Sequence, residues 1–505
     1  MKRTLLIKIS VIMTLATAVV VFEGCKKSDL DLLPTGPTEK DFFANEGDFT
    51  KAVYGVYAKM TDLFWYNGGA GSTLMTVWLL PGDDITTNNN NEEFEQFGAI
   101  NAGSGRLSYL YSRHYQLINR ANTLLAKLNG PEGSVFKTPN LKNNQTGEAL
   151  FLRGYAFYNL WNIFGTAPLS TTRATSSDQF FPAGTTGTQL LDQAIDDFSK
   201  AAALLPATWD AANRGRVTAN SANGMLGKSL VFRGSVNKNT ADFSAAITAF
   251  NKITGAALVA NFGDNFAWDT ENNAESLFEF QASQTPGDNV WLDNDFDNVV
   301  GTMTGFWGFY DNSWALFGMS RFYATEKLAG AFPADDPRIA VTLNPADRTI
   351  RKYVARGRNA GNGVGSINNY RILRYADVLL LNAEAILQSN GSTAEAIGLI
   401  NQVRARARAM APAGTSPADR STAESNRTTI MDWIMTERLV ELAGEGQRWF
   451  DLRRWHLQGV ITLNNAFFSS NTAANMNFQI KHLYFPIPNS EIDVNPNMRQ
   501  NPGYN

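Results

Sequence analysis

Hydrophobic residues recur at helical spacing along most of the chain. Phe49, Val53, Val56, Tyr57, Met60 and Phe64 fall on one helical face. A longer set follows at Leu107, Leu110, Tyr111, His114, Leu117, Ile118, Ala121, Leu124, Leu125 and Leu128, with Gly130-Pro131 as its stop signal. Ala149, Leu152, Ala156, Phe157, Leu160 and Trp161 predict a third helix ending at Gly165. Further helices are predicted at 188–205, 218–233, 240–253, 370–388, 392–410 and 427–446. Thr38, with Asp41 three residues on, reads as an N-cap for the first of the series.

The helices come in adjacent pairs with small residues such as Ala219, Ala222 and Ala246 at the contacts, the pattern of tetratricopeptide-like hairpins, although no clean 34-residue period survives. Strand patterns are few: Ser276–Gln281 alternates, and 351–354 is a second short candidate. The reading is a mostly α fold, a helical-hairpin scaffold carrying long irregular loops and a few short strands.

The helical period fades at 65–104 and 255–369. The first stretch holds Trp65, Tyr66, Trp78, Asp83, Asp84 and the run Asn88–Asn91; the second holds Trp268, Trp291, Trp307 and Trp314 among Gly, Asn and Asp. Long aperiodic loops are functional or disordered, and this aromatic load speaks against disorder. Trp and Tyr faces cover the C–H faces of a sugar ring, while Asp and Asn meet its hydroxyls. Trp291-Leu-Asp-Asn294 and Trp307-Gly-Phe-Tyr310-Asp-Asn312 supply both kinds within a few residues. Trp65, Tyr66, Asp83, Trp291, Asn294, Trp307, Tyr310 and Trp314 are the candidate ligand residues. Scattered Trp are more often core than platform, and that alternative stays open at this point.

Composition removes several classes. The net charge of −3 offers no basic field for nucleic acid. One cysteine in 505 residues precludes an internal disulfide, and three widely separated histidines supply zinc sites and His-activated nucleophiles poorly. No metal or cofactor is expected. GMLGKSL at 224–230 lacks the first P-loop glycine, Ala222 standing there, and lies in a helical pattern. GNGVG at 361–365 and NAGSG at 101–105 lack the spacings of a dinucleotide loop and a nucleophile elbow. In ERLVELAGEGQRWFDLRRW, 437–455, Glu441 and Glu445 read as one helix face with Arg448 in reach of Glu445. Arg448, Arg453 and Arg454 read as fold braces paired with carboxylates, Asp451 among them, in preference to an anion site.

The N-terminus is distinctive. Lys2, Arg3 and Lys8 precede the apolar run Ile9–Phe22, which is shorter than the ~18 residues of a bilayer span. Gly24 then precedes Cys25, the only cysteine. That order fits a lipoprotein signal peptide at 1–24, a lipidated Cys25 and a polar tether at 25–37, leaving 38–505 as one helical domain. Glu23 is an unusual residue at such a cleavage site.

Five stretches in order, LDLLPTGPTEKDFF after Cys25, GEALFLRGYAFYNLWNIFGTAPL at 147–169, RYADVLLLNAEA at 374–385, the 437–455 segment and LYFPIPNSEIDVNPNMRQNPGY at 483–504, resemble SusD/RagB-like outer-membrane lipoproteins of Bacteroidota. The resemblance implies a non-enzymatic lid on a SusC-like TonB-dependent β-barrel. The lid is anchored in the outer membrane by lipid, faces the exterior and captures an oligosaccharide. Its shared motifs are structural and its ligand residues lie in divergent loops, so none transfers by motif. A peptide-binding lid and a lipid-anchored glycosidase are the alternatives.

Overall fold

The computed structural model describes residues 42–64, 66–67, 72–73, 76–87, 93–98, 100–282, 303–304, 322–353, 365–366, 368–412, 414–468 and 476–504. The reading of Cys25, its leader and its tether lies outside them, as do Thr38 and Asp41.

Ten helices of eight or more residues occur among the described residues: α1 Glu46–Ala58, α2 Gly105–Asn129, α3 Leu141–Phe164, α4 Gln189–Leu204, α5 Ala219–Asn237, α6 Thr240–Phe250, α7 Tyr375–Gln388, α8 Thr393–Ala409, α9 Arg427–Glu441 and α10 Arg448–Gln458. Sequence-adjacent helices pack side by side, α3 on α4, α5 on α6 and α7 on α8, so the hairpin scaffold is present. The fold is mostly helical, as its periodicity predicts. The described start of the series is capped by Asn45, whose side chain accepts from the Asp48 amide.

Helix α2 buries all ten residues of its predicted apolar set, from Leu107 to Leu128. Each leucine so removed from water stabilises by about 1.5–3 kcal/mol. Helix α5 lies deeper. It packs against α4, α6, α7 and α10, and its Gly224 passes so near Leu373 that a Cβ would fall 2.6 Å from that side chain. The rejected P-loop sequence sits inside α5, where Lys228 is buried in a 2.7 Å pair with Asp377.

Two boundaries differ from the pattern. The predicted helix 370–388 begins as a strand, Tyr370–Arg374, and becomes helix at Tyr375. Its partner is Ser276–Phe280, antiparallel, with Glu279 opposite Arg371 and Phe280 opposite Tyr370. The 351–354 candidate forms no strand among the described residues; Ile350 makes an isolated bridge to Leu343 instead. The predicted helix 427–446 stops at Glu441, because Gly444 and Gly446 adopt φ of +71° and +69°. A side chain at Gly446 would meet the indole of Trp78 at 2.5 Å.

The C-terminal segment closes an exposed need of α3. The last carbonyls of a helix have no partner within it. Gly165 N–H donates to Trp161 O, Arg453 to Asn162 O, Phe485 N–H to Ile163 O and the Asn501 amide to Phe164 O. The motif at 483–504 is thus a cap that returns from the far end of the chain.

Candidate functional site

The two irregular stretches meet. Ile85–Thr87 (β1) pairs antiparallel with Phe322–Ala324 (β2), Thr87 opposite Phe322 and Ile85 opposite Ala324. This register sets Thr87, the last described residue before 88–92, opposite Phe322, the first after 305–321. Tyr66–Asn67 pairs with Ser72–Thr73, and Met303–Thr304 with Gly365–Ser366. The 303–304 strand packs beside the turn Lys59–Phe64 that leads to residue 65. Two pairs of described ends are therefore brought together, Thr87 with Phe322 and the 303–304 strand with the turn ending at Phe64.

The clasp is held from within. Thr86 Oγ1 donates to Glu95 Oε1 at 2.5 Å and the Thr87 amide to Glu95 Oε2 at 3.2 Å. The Thr325 amide donates to Asp84 O at 2.9 Å, and its hydroxyl to Asp83 O at 2.7 Å. The Asp83 side chain is fully buried. Its carboxylate receives Arg448 Nε at 2.5 Å, Arg448 Nη2 at 3.1 Å and Lys327 Nζ at 2.5 Å. Burial pushes that carboxyl up, but the two cations outweigh burial and hold it at about 2. Asp83 faces inward and fastens the clasp to α10. Its neighbour Asp84 is raised to about 6 by burial and then by the Asp83 charge, with Gly444 N–H donating to Oδ2.

Of the other candidates, Trp65, Trp291, Asn294, Trp307, Tyr310 and Trp314 lie outside the described residues, and Tyr66 is described in its backbone alone. Trp78 is half-buried against Phe64, with ring centroids 6.4 Å apart. The described aromatics of 255–369 serve as anchors. Phe262 and Phe266 are buried under the Lys352 ammonium, 4.9 and 4.6 Å from their centroids, and beside the guanidinium of Arg374.

The charged segment 437–455 is a brace, as its residue types suggest, but its pairs differ from the expected ones, and Arg453 donates to Asn162 O and Oδ1 in place of a carboxylate. Glu445 lies in the turn after α9 and meets Lys352 at 2.9 Å and Arg374 at 2.8 Å, not Arg448. Glu441 accepts from Arg338 at 3.0 Å, Arg374 at 3.1 Å and Arg406 at 2.5 Å. Burial raises its carboxyl; Arg406, Arg374 and Arg338 together hold it at about 2. Asp451 accepts from Arg438 at 2.8 Å and Arg454 at 2.9 Å. Arg374 also reaches Glu275 at 2.5 Å, which fixes the strand Ser276–Phe280 at its start.

One surface feature escaped the sequence reading. A cavity of about 240 Å³ opens among Tyr54, Tyr57, Met60, Arg214, Phe280 and Gln281, at the roots of both irregular stretches. Tyr54 is 48% exposed on α1. It stands off the apolar period of that helix, and this was the available signal. Among the described residues no group of three or more His, Cys, Asp or Glu is arranged to hold a metal ion, and no helix is long and apolar enough to cross a membrane.

Comparison with known proteins gives the class. Residues 323–504 match the model of the SusD family, and residues 51–229 match a model described as "Starch-binding associating with outer membrane". The chain belongs to the SusD/RagB family, a family of non-catalytic binding proteins. It is 27% identical to SusD-like protein P2 of Formosa agariphila, over 98% of this chain and 99% of that one. A SusD superfamily protein of Bacteroides vulgatus superposes with a TM-score of 0.69 at 25% identity, covering 92% of this chain and 100% of the other. A solved protein described as a laminarin-binding SusD-like protein gives 0.71 at 22% identity, covering 91% and 100%. The second family model's description associates the group with the outer membrane.

Proposed function

We propose that this protein is a glycan-binding lipoprotein of the outer-membrane surface, and that it serves as the lid of a SusC-like TonB-dependent barrel. Cys25 carries the lipid, 25–37 is the tether and 38–505 acts as a single helical body. The observation that carries the reading is the Thr87–Phe322 register, which ties the described ends of two irregular stretches to each other on the helical scaffold. Family membership and the laminarin-binding relative support the ligand class. Cargo is gripped by Trp65, Tyr66, Trp291, Asn294, Trp307, Tyr310 and Trp314. Asp83 acts behind them as an ion-pair anchor.

A few aromatic faces give modest affinity, as a protein that must pass its cargo inward requires. Affinity gels and calorimetry against laminarin, starch and other polysaccharides test the reading, with Trp307→Ala and Trp314→Ala as variants. The expected outcome is binding to at least one glycan, weakened by each variant while the melting temperature stays within about 2 °C of wild type. Peptides co-purifying with the native complex, and no glycan binding by protein with or without its barrel, would replace it with the peptide-lid reading. Release of reducing sugar by the pure protein would replace it with the glycosidase.

A further inference from the structure

A small cavity of about 50 Å³ lies in the body, with Phe64, Trp78, His114, Asn159, Lys228 and Gln447 in its wall. At ~10–15 Å³ for each water it has room for about three to five. Its polar groups are incompletely used. His114 is 1% exposed, and its Nδ1 lies 2.6 Å from Leu110 O. A carbonyl only accepts, so Nδ1 carries the proton and Nε2 presents a lone pair. That Nε2 is buried and has no partner. Burial also lowers the imidazole to about 4, so the ring is neutral at pH 7.

The same cavity wall holds donors. Lys228 spends two of its three N–H groups, on Asp377 Oδ2 at 2.7 Å and Gln447 Oε1 at 2.6 Å. Gln447 Nε2 spends one of its two, on Glu445 O at 3.2 Å. The cavity is thus bounded by an acceptor that needs a donor and by donors that need an acceptor. Leaving such a group unmet costs about 1–3 kcal/mol. A bare cation could take the Nε2 lone pair but is repelled by the Lys228 ammonium. A deprotonated anion also has none to give, and an apolar guest leaves Nε2 orphaned.

We infer that this cavity is a binding site for a hydroxyl oxygen, which donates to His114 Nε2 and accepts from Lys228 or Gln447. Two sources share that chemistry: a trapped water, and the hydroxymethyl arm of a sugar resting against Trp78. The second source rests on the glycan reading above; the site itself does not.

Crystal structures of the full chain, without ligand and soaked with laminarin oligosaccharide, separate the sources. An oxygen about 2.6–3.2 Å from His114 Nε2 is the expected result in the unsoaked crystal. After soaking, density continuous with a sugar ring assigns the arm, and an unchanged isolated oxygen assigns water. A cavity empty in both crystals, or Nε2 bonded to a protein atom, overturns the site. Failure of every glycan to bind overturns the functional reading but leaves the oxygen at His114 in place. Nitrogen-15 spectra provide a second measure, since there are only three histidines. His114 should show a protonated Nδ1 and a hydrogen-bonded, unprotonated Nε2, with no titration down to pH 5; a protonated Nε2 rejects the proposal. His114→Leu should delete that oxygen and that signal.

Discussion

Helices α2–α6 and helices α7–α10 hold together by different means. In the first group apolar contact leads, beside single ion pairs such as Arg153–Asp197: Phe151 meets Phe198 and Phe278 with centroids 5.3 and 4.8 Å apart, and Ala222 and Ala246 let backbones approach. In the second, Arg338, Arg374, Arg406, Arg438 and Arg454 are all buried with carboxylates. The titration directions diverge accordingly. Glu148 and Asp197, each paired with a single arginine in the first group, are raised because burial outweighs the pair. Glu441 and Asp377, each facing several cations, are lowered despite burial. Burial alone therefore does not fix the sign; at these four carboxyls the opposing charges decide it.

The largest test is Glu441→Ala. It removes from the interior a carboxylate shared by Arg338, Arg374 and Arg406 and should cost about 3–5 kcal/mol in a denaturant melt. Ala246→Leu probes the apolar half. Overpacking against α5 should cost about 1–3 kcal/mol, with no dependence on pH between 4 and 8.

Acid should then separate the halves. Carboxyls held low in the folded state stabilise it above their unfolded pKa, and that stability is lost as pH falls from about 4 toward 2. Glu441, Asp377 and Asp83 belong to this set, whereas Glu148 and Asp197, raised, gain relative stability on protonation. Hydrogen exchange at pH 3 should open α7–α10 before α3 and α4; the reverse order would sink the comparison. Asp84→Asn runs the opposite way. The carboxyl at about 6 opposes folding above that pH, so the variant should gain about 1–2 kcal/mol at pH 7.5 and little at pH 4. Smallest is Asp196→Ala, which removes an exposed i,i+4 pair with Lys200 and should cost less than about 0.5 kcal/mol.

The sequence made the helical body legible because burial follows a period: every apolar position called on α2 is buried. It misread Tyr370–Arg374, whose five residues are all buried, since a strand covered on both faces shows no alternation. It misassigned Glu445 because local spacing suggested Arg448, whereas the partners Lys352 and Arg374 are remote in sequence. Asp83 looked like a ligand residue because an acid among aromatics in an aperiodic stretch suits sugar hydroxyls; only the fold brings Arg448 and Lys327 to it. The β1–β2 pairing had no sequence signal, three residues on each side being too few to alternate.

That short pairing has an evolutionary corollary. Because residues 87 and 322 are pinned opposite each other and fastened to α10, the chain between 305 and 321, or between 88 and 92, can lengthen, shorten or change composition without disturbing the scaffold. One architecture is in this way free to trade its grip for new cargo while its core stays fixed.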